Sequence, residues 1–368
     1  MSSITFFWPP IIYVRIMANI FVAYASFGEG HKKAAYALRD SLGIPVYDLL
    51  DFSHPCIKKI YSSSYLFITC YLPFIWRIIF ASAKIRFFSS FTNRINRIIF
   101  RSFIKYLKYH TPQILIVTHF FPSQLIESIK DGLKIKVISV VTDLRVHPLW
   151  VNRCIDYYFA ALEMTREDLL KQGVEAEKIF TGFAPLRKGF LKDSSINQLH
   201  EEFSLPAKPG LIFVSSLRGT LPFLKETISS ILKRFNIFVI YGQNNALKKY
   251  LESINSESLR FFSSYEKMWD LVSLSSIIIT KPGGLTIFEG IYKRKPFIFT
   301  HYIPGQEKEN MEALIELGVA RFARKKEEFL EALSFFEKSF SALEKSYPLT
   351  VRDISVPLGE LIQKLSNG

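Results

Sequence analysis

Residues 276–310 read SIIITKPGGLTIFEGIYKRKPFIFTHYIPGQEKEN, and the alternation inside this stretch decides the fold. The apolar run Ser276–Thr280 has the length and β-branched content of a buried strand, and Lys281-Pro282-Gly283-Gly284 stops it and opens a helix at Leu285. A second strand follows at Pro296–Thr300, and Pro304-Gly305-Gln306-Glu307-Lys308-Glu309-Asn310 starts a second helix. Strand, turn, helix, strand, turn, helix is the unit of a parallel sheet covered by helices.

Both turns carry chemistry. Two glycines let a backbone come close to an anion, a helix start offers unpaired N–H groups at a positive dipole end, and Lys281 adds charge. Pro282, Gly283 and Gly284 therefore form a phosphate seat to which Thr286 adds a hydroxyl. Glu289, one turn into the helix, is placed to accept hydrogen bonds from vicinal hydroxyls, as an acidic residue does for a ribose. Past Gly305, Gln306, Glu307 and Asn310 present amide and carboxylate groups suited to sugar hydroxyls, which both donate and accept. Either loop alone is also a common strand-to-helix turn with a capping acid. Together, in this order, they point to a nucleotide sugar.

The alternation extends in both directions. Strands are expected at Ile20–Tyr24, Ile114–Thr118, Lys136–Val141, Tyr157–Ala160 and Lys178–Thr181, and again at Leu211–Ser215, Ile237–Tyr241 and Leu259–Phe262, with helices between them. The reading is α/β: two Rossmann-like, doubly wound domains facing a cleft, with ligands at the carboxyl ends of the strands. The first domain spans 17–185 and is assigned the acceptor and the membrane. A polar linker follows at 186–210, a donor-binding domain at 211–350, and a C-terminal helix at 351–368 that packs back on the first domain.

A chain of 368 residues has the length for two cores, and 49% apolar and 15% aromatic content excludes a disordered chain. The three cysteines, Cys56, Cys70 and Cys154, are scattered without ligand spacing, which argues against a disulfide framework or a zinc site and fits a reducing compartment. The first sixteen residues are apolar but lack the basic start and cleavage site of a signal peptide.

The net charge of +14 is concentrated: from Phe52 to Ile126 there is no Asp or Glu, against ten Lys or Arg interleaved with aromatic residues that include Trp76. Basic, aromatic and apolar residues together suit a bilayer surface, while Leu66–Phe80, broken by Pro73 and Arg77, is too short for a span. On a helical projection Arg94, Arg97, Arg101, Lys105 and Lys108 form one stripe, opposite Ile95, Ile99, Phe103, Tyr106 and Leu107. The stripe is expected to face anionic lipid. The same composition would suit nucleic acid, but no nucleic-acid module is present, and no nucleic-acid partner is expected.

In the first half, Gly28-Glu29-Gly30-His31 follows the first strand. Lys33 stands where a dinucleotide fingerprint has its third glycine, so that motif is incomplete, and Gly30 is assigned to the donor. The unperturbed pKa of a histidine side chain is near 6.5, which suits His31 to take a proton from an attacking hydroxyl. Val141-Thr142-Asp143-Leu144-Arg145-Val146-His147-Pro148-Leu149-Trp150 follows another strand, with Asp143 to orient the base and His147 and Trp150 to meet an apolar acceptor. His54, His110, His119, His200 and His301 lack partner spacing and are read as structural.

GEGHKKAA, VTDLRVHPLW, KPGGLTIFEG and PGQEKEN together resemble the monogalactosyldiacylglycerol synthase and processive diacylglycerol glucosyltransferase family, from about Ile20 to Ala320 with a gap at the basic segment. The resemblance implies a GT-B fold and inverting transfer of galactose or glucose from a UDP-sugar to diacylglycerol or another lipid. It implies peripheral attachment at the cytoplasmic face of a membrane, with no cofactor and no metal. It makes His31 the base, Gly283, Gly284 and Thr286 diphosphate contacts, Glu289 the ribose ligand, and Gln306, Glu307 and Asn310 the sugar ligands. One departure stands out: the family's glycine-rich loop after the first strand of the second domain here reads Val214-Ser215-Ser216-Leu217-Arg218-Gly219-Thr220, leaving Arg218 and Gly219 to reach a phosphate. A peptidoglycan-type lipid N-acetylglucosaminyltransferase and a UDP-sugar epimerase of the same fold are the alternatives.

Overall fold

The computed structural model describes residues 19–26, 29–61, 94–127, 129–192, 194–215 and 221–367. Trp76, Arg218, Gly219, residues 62–93 of the acid-free segment and the apolar first residues lie outside them. The chain divides into two compact units, Met1–Arg187 with Asp353–Gly368, and Lys188–Arg352.

The first unit is built on a six-stranded parallel sheet. Its strands are β1 (Ile20–Tyr24), β2 (Val46–Asp48), β3 (Ile114–Val117), β4 (Lys136–Val140), β5 (Tyr157–Ala160) and β6 (Ile179–Thr181), in the order β2-β1-β3-β4-β5-β6. Central strands β1 and β3 are buried at every residue, which is why they read as continuous apolar runs rather than as alternation. Helices cover both faces. The C-terminal helix Ser355–Asn367 places Leu358, Leu361 and Ile362 in the same apolar cluster as Ile20, Val22, Ile116 and Ile138. A short strand β7 (Phe183–Ala184) closes the unit's sequence-continuous part.

The second unit repeats the plan with β8 (Gly210–Val214), β9 (Asn236–Ile240), β10 (Leu259–Phe262), β11 (Ser275–Thr280), β12 (Phe297–Phe299) and β13 (Ala320–Phe322), ordered β10-β9-β8-β11-β12-β13 and all parallel. Residues 186–210, polar in composition, carry the helix Ile196–Glu202 and the buried Phe190 and Leu199, so their polar side chains occupy the outer faces of folded structure.

Each sheet has one place where successive connections leave in opposite directions: between β1 and β3 in the first, and between β8 and β11 in the second. There the loops splay apart and leave a crevice beyond the carboxyl ends of the strands. His31 follows β1 and Thr118 follows β3, and the Lys281–Gly284 turn follows β11.

The basic stripe lies on helical residues 94–99 and the helix Arg101–His110, separated by Phe100. Phe100, Phe103 and Leu107 enter the core, while Arg94, Arg101, Lys105 and Lys108 are exposed and Arg97 partly so. Ile95, expected on the packed face, is 42% exposed, and Ile98 is 72% exposed. The break at Phe100 changes the helical phase, so a single projection through both segments misplaces Ile95.

Candidate active site

In the first unit the helix Glu29–Leu42 sets His31 in its first turn, where a ring can reach the neighbouring strand end. The His31 Nδ1 lies 2.9 Å from the Thr118 carbonyl oxygen and 2.8 Å from Thr142 Oγ1. Thr118 in turn donates its hydroxyl to the His31 carbonyl at 3.0 Å. Three strand ends, those of β1, β3 and β4, thus converge on one imidazole.

His119 is the neighbour that spacing alone did not reveal. Its ring centroid is 4.4 Å from that of His31 at 83°, edge to face, and its Nδ1 accepts the Phe121 N–H at 3.0 Å as the cap of the helix Phe120–Ile126. Burial, and secondarily the charge of His31, hold its pKa well below the ordinary histidine value. The signal in the sequence was position: His119 stands two residues past the end of β3, where functional residues of parallel sheets collect.

Asp143 is buried and accepts the Trp150 indole N–H at 2.8 Å. Trp150 is fully buried and its ring lies 6.3 Å from His31 and 6.5 Å from His119. Trp150, expected at the lipid acceptor, stands in the interior in this structure. A large apolar ring carrying one N–H is more stable beneath a buried carboxylate than in solvent. His147 is 1% exposed and caps the short Pro148–Trp150 turn through the Leu149 N–H, so it too belongs to the interior. Gly30, in the same first turn as His31, has open space where a Cβ would stand, which suits a ligand's approach.

In the second unit the helix Gly284–Tyr292 begins one residue earlier than the sequence suggests, with Gly283 as its cap. A Cβ on Gly283 would meet nothing closer than Lys281 Cε at 4.0 Å. The space above the turn is thus open at the positive end of the helix, the arrangement an anion needs. Thr286 is partly exposed beside it. Glu289 is 3% exposed one turn further on.

The second loop meets the first through side chains. Lys281 pairs with Glu307 Oε1, and Glu307 Oε2 accepts the Ile303 N–H at 2.8 Å. The Asn310 amide donates to the Pro282 carbonyl at 3.4 Å and is 1% exposed. Glu307 and Asn310, expected as sugar ligands, tie the two loops together, because buried polar groups that close need partners of their own. Gln306 opens the helix Gln306–Glu316, and Gly305 before it has φ 103°, a conformation that favours glycine.

His301 is the second histidine whose place the sequence left unread. The Thr300 N–H bonds to the Thr280 carbonyl at 3.3 Å, which sets His301 alongside Lys281. Its Nδ1 meets Thr300 Oγ1 at 3.1 Å, and burial pushes its pKa down, against the pull of Glu307. Among the described residues, no group of three or more His, Cys, Asp or Glu stands together as a metal site.

Solved structures share this architecture. The calicheamicin glycosyltransferase CalG4 superposes with a TM-score of 0.65 at 12% identity over 95% of this chain and 98% of that one. The UDP-GlcNAc 2-epimerase of Neisseria meningitidis gives 0.57 at 16% identity over 94% and 99%. Such likeness speaks for the fold alone. Sequence separates the two classes. Residues 31–183 match the family model described as monogalactosyldiacylglycerol (MGDG) synthase. The processive diacylglycerol beta-glucosyltransferase of Bacillus cytotoxicus is 28% identical over 345 residues, covering 89% of this chain and 86% of that one. The enzyme of the same name from Bacillus cereus (strain G9842) is 27% identical over 94% and 93%. The chain is a glycosyltransferase of GT-B fold. Residues 31–183 carry its match to the MGDG synthase model, and most of its length is similar to the processive diacylglycerol glucosyltransferases.

Proposed function

We propose that this glycosyltransferase forms a glycosyldiacylglycerol by moving a hexose, galactose or glucose, from a UDP-sugar to the free hydroxyl of diacylglycerol at a membrane surface. The observation that carries the donor half is the open space over Gly283 at the start of a helix whose first turns hold Thr286 and the buried Glu289. Diphosphate on the turn and ribose on Glu289 is the placement that this geometry supports. The acceptor hydroxyl attacks the anomeric carbon, the bond to the diphosphate breaks, and His31 takes the hydroxyl proton. One displacement inverts the anomeric centre. Gln306 faces the sugar, and Lys281 exchanges its Glu307 partner for phosphate oxygens as negative charge develops there.

The first unit is assigned the acceptor and the second the donor. No helix among the described residues is long and apolar enough to cross a membrane. Attachment is read as peripheral, at the cytoplasmic face. Exposed Arg94, Arg101, Lys105 and Lys108, beside the exposed Ile95 and Ile98, combine charge for anionic headgroups with apolar side chains for the acyl boundary. This mixture favours lipid over nucleic acid.

The test is incubation of the purified protein with diacylglycerol liposomes and a panel of UDP-sugars, with products identified by mass and linkage. A glycosyldiacylglycerol from one UDP-hexose is expected, and His31→Ala should still bind UDP yet form none. Lipid-independent conversion of a UDP-sugar would replace this reading with an epimerase.

A further inference from the structure

The contacts around His31 specify which nitrogen is the base. A carbonyl oxygen only accepts, so the 2.9 Å contact to Thr118 O requires a proton on Nδ1. The Thr142 hydroxyl at 2.8 Å is compatible with either state of that nitrogen, accepting from an N–H or donating to a lone pair. In the neutral ring one assignment satisfies both: Nδ1–H is shared between Thr118 O and Thr142 Oγ1, and Nε2 carries the lone pair.

We propose that Thr142, with the Thr118 carbonyl, is a positioning residue that holds His31 in the tautomer with Nε2 as the base and stabilises the imidazolium formed when Nε2 takes the acceptor's proton. The inference rests on the reading of His31 as base. Once the ring is charged, both contacts become charge-assisted and strengthen. The pair thereby does what a carboxylate does behind a catalytic histidine, with dipoles instead of a full charge.

The surroundings agree. Thr142 is 3% exposed and Thr118 is fully buried, so the threonine side of each contact is shielded from bulk water. Thr118 also donates its hydroxyl to the His31 carbonyl, fixing the helix turn from which the ring projects. His119, packed edge to face on His31, has its Nδ1 occupied by the Phe121 N–H and stays neutral, so it does not repel the imidazolium. Among the described residues, titratable groups on the packed elements around the ring include His119 from the β3 end and Asp143 beyond β4, the latter holding the Trp150 N–H.

The test is steady-state kinetics of Thr142→Val and Thr142→Ser on diacylglycerol liposomes across a pH series. Valine matches threonine in shape and removes only the hydroxyl, and circular dichroism checks that both variants fold. Loss of Oγ1 destabilises the imidazolium, lowers the His31 pKa and weakens the base. Thr142→Val should therefore lower kcat about tenfold, leave the KM for UDP-sugar unchanged, and move the acid limb of kcat/KM to lower pH. Thr142→Ser restores the hydroxyl and should return both. An unshifted acid limb with unchanged kcat in Thr142→Val overturns the proposal, and so does a loss that serine fails to restore. His31→Ala separates the two readings. If it retains turnover, the base assignment fails and the positioning role with it; if it is inactive while Thr142→Val behaves as wild type, only the positioning role fails.

Discussion

Replacing Trp150 by Phe tests whether that ring serves the interior or the acceptor. Trp150 is fully buried and its Nε1 donates to Asp143 Oδ2 at 2.8 Å, with Asp143 itself 5% exposed. Phenylalanine removes this donor where water cannot replace it, which costs about 1–3 kcal/mol and more when the acceptor is charged. The smaller ring leaves a gap, adding about 1 kcal/mol at ~24 cal/mol per Å³ of cavity. Trp150→Phe should thus destabilise the first unit by about 2–4 kcal/mol, or roughly 5–15 °C in Tm for a body of this size. Urea and thermal unfolding followed by circular dichroism measure the loss. A double-mutant cycle with Asp143→Ala, which removes the acceptor, isolates the pair, with a coupling of about 1–3 kcal/mol expected. The KM for diacylglycerol should stay at the wild-type value. Unchanged stability together with a severalfold rise in that KM would refute the reasoning, because the ring would then be meeting lipid and not the carboxylate.

Burial lowers the pKa of His119 in the first unit and of His301 in the second, so below about pH 6.5 the unfolded chain binds protons that the folded rings refuse. Stability should be full above that pH and fall as pH drops, by up to about 1.4 kcal/mol per pH unit for each ring; His119→Asn, which keeps an acceptor for the Phe121 N–H, should flatten the first unit's loss in thermal melts. Gly290→Ala gains about 1 kcal/mol of helix propensity but sets its Cβ in overlap with the edge of the Phe297 ring at Cζ and 2.8 Å from Ile278 Cδ1, both side chains fully buried, for a cost of about 1–3 kcal/mol. Net destabilisation with weaker UDP binding, since Glu289 is the adjacent residue, is the expected result, and a raised Tm would contradict it. Arg101→Glu with Lys105→Glu should weaken flotation with anionic liposomes and reduce its salt dependence, by about fivefold for each cation lost; wild-type binding that is equal on neutral vesicles would remove the electrostatic account.

The two parallel sheets were legible because strands buried on both faces must be apolar throughout, and the turns between them are marked by glycine and proline. The turn proposed as the anion seat was legible for a local reason: Lys281, Pro282, Gly283 and Gly284 are adjacent in sequence, so chain order alone brings them together. The partners of His31 were not. Thr118 and Thr142 lie 87 and 111 residues away, and a threonine at a strand end has no composition that distinguishes it from any other.

The sequence by itself therefore determined the alternation of strands and helices, the glycine turn that opens a helix after β11, the histidine after β1 and the acid-free basic segment, all of which are read from the order of neighbouring residues along the chain. Tertiary structure alone decided three things: that Trp150 and His147 are interior, that Glu307 and Asn310 bind the loops of the second unit together, and that His119 and Thr142 stand against His31. The physical reason is the strand order. Placing β3 and β4 in succession beside β1 brings distant strand ends to one crevice, where a buried polar atom takes the partner that geometry supplies.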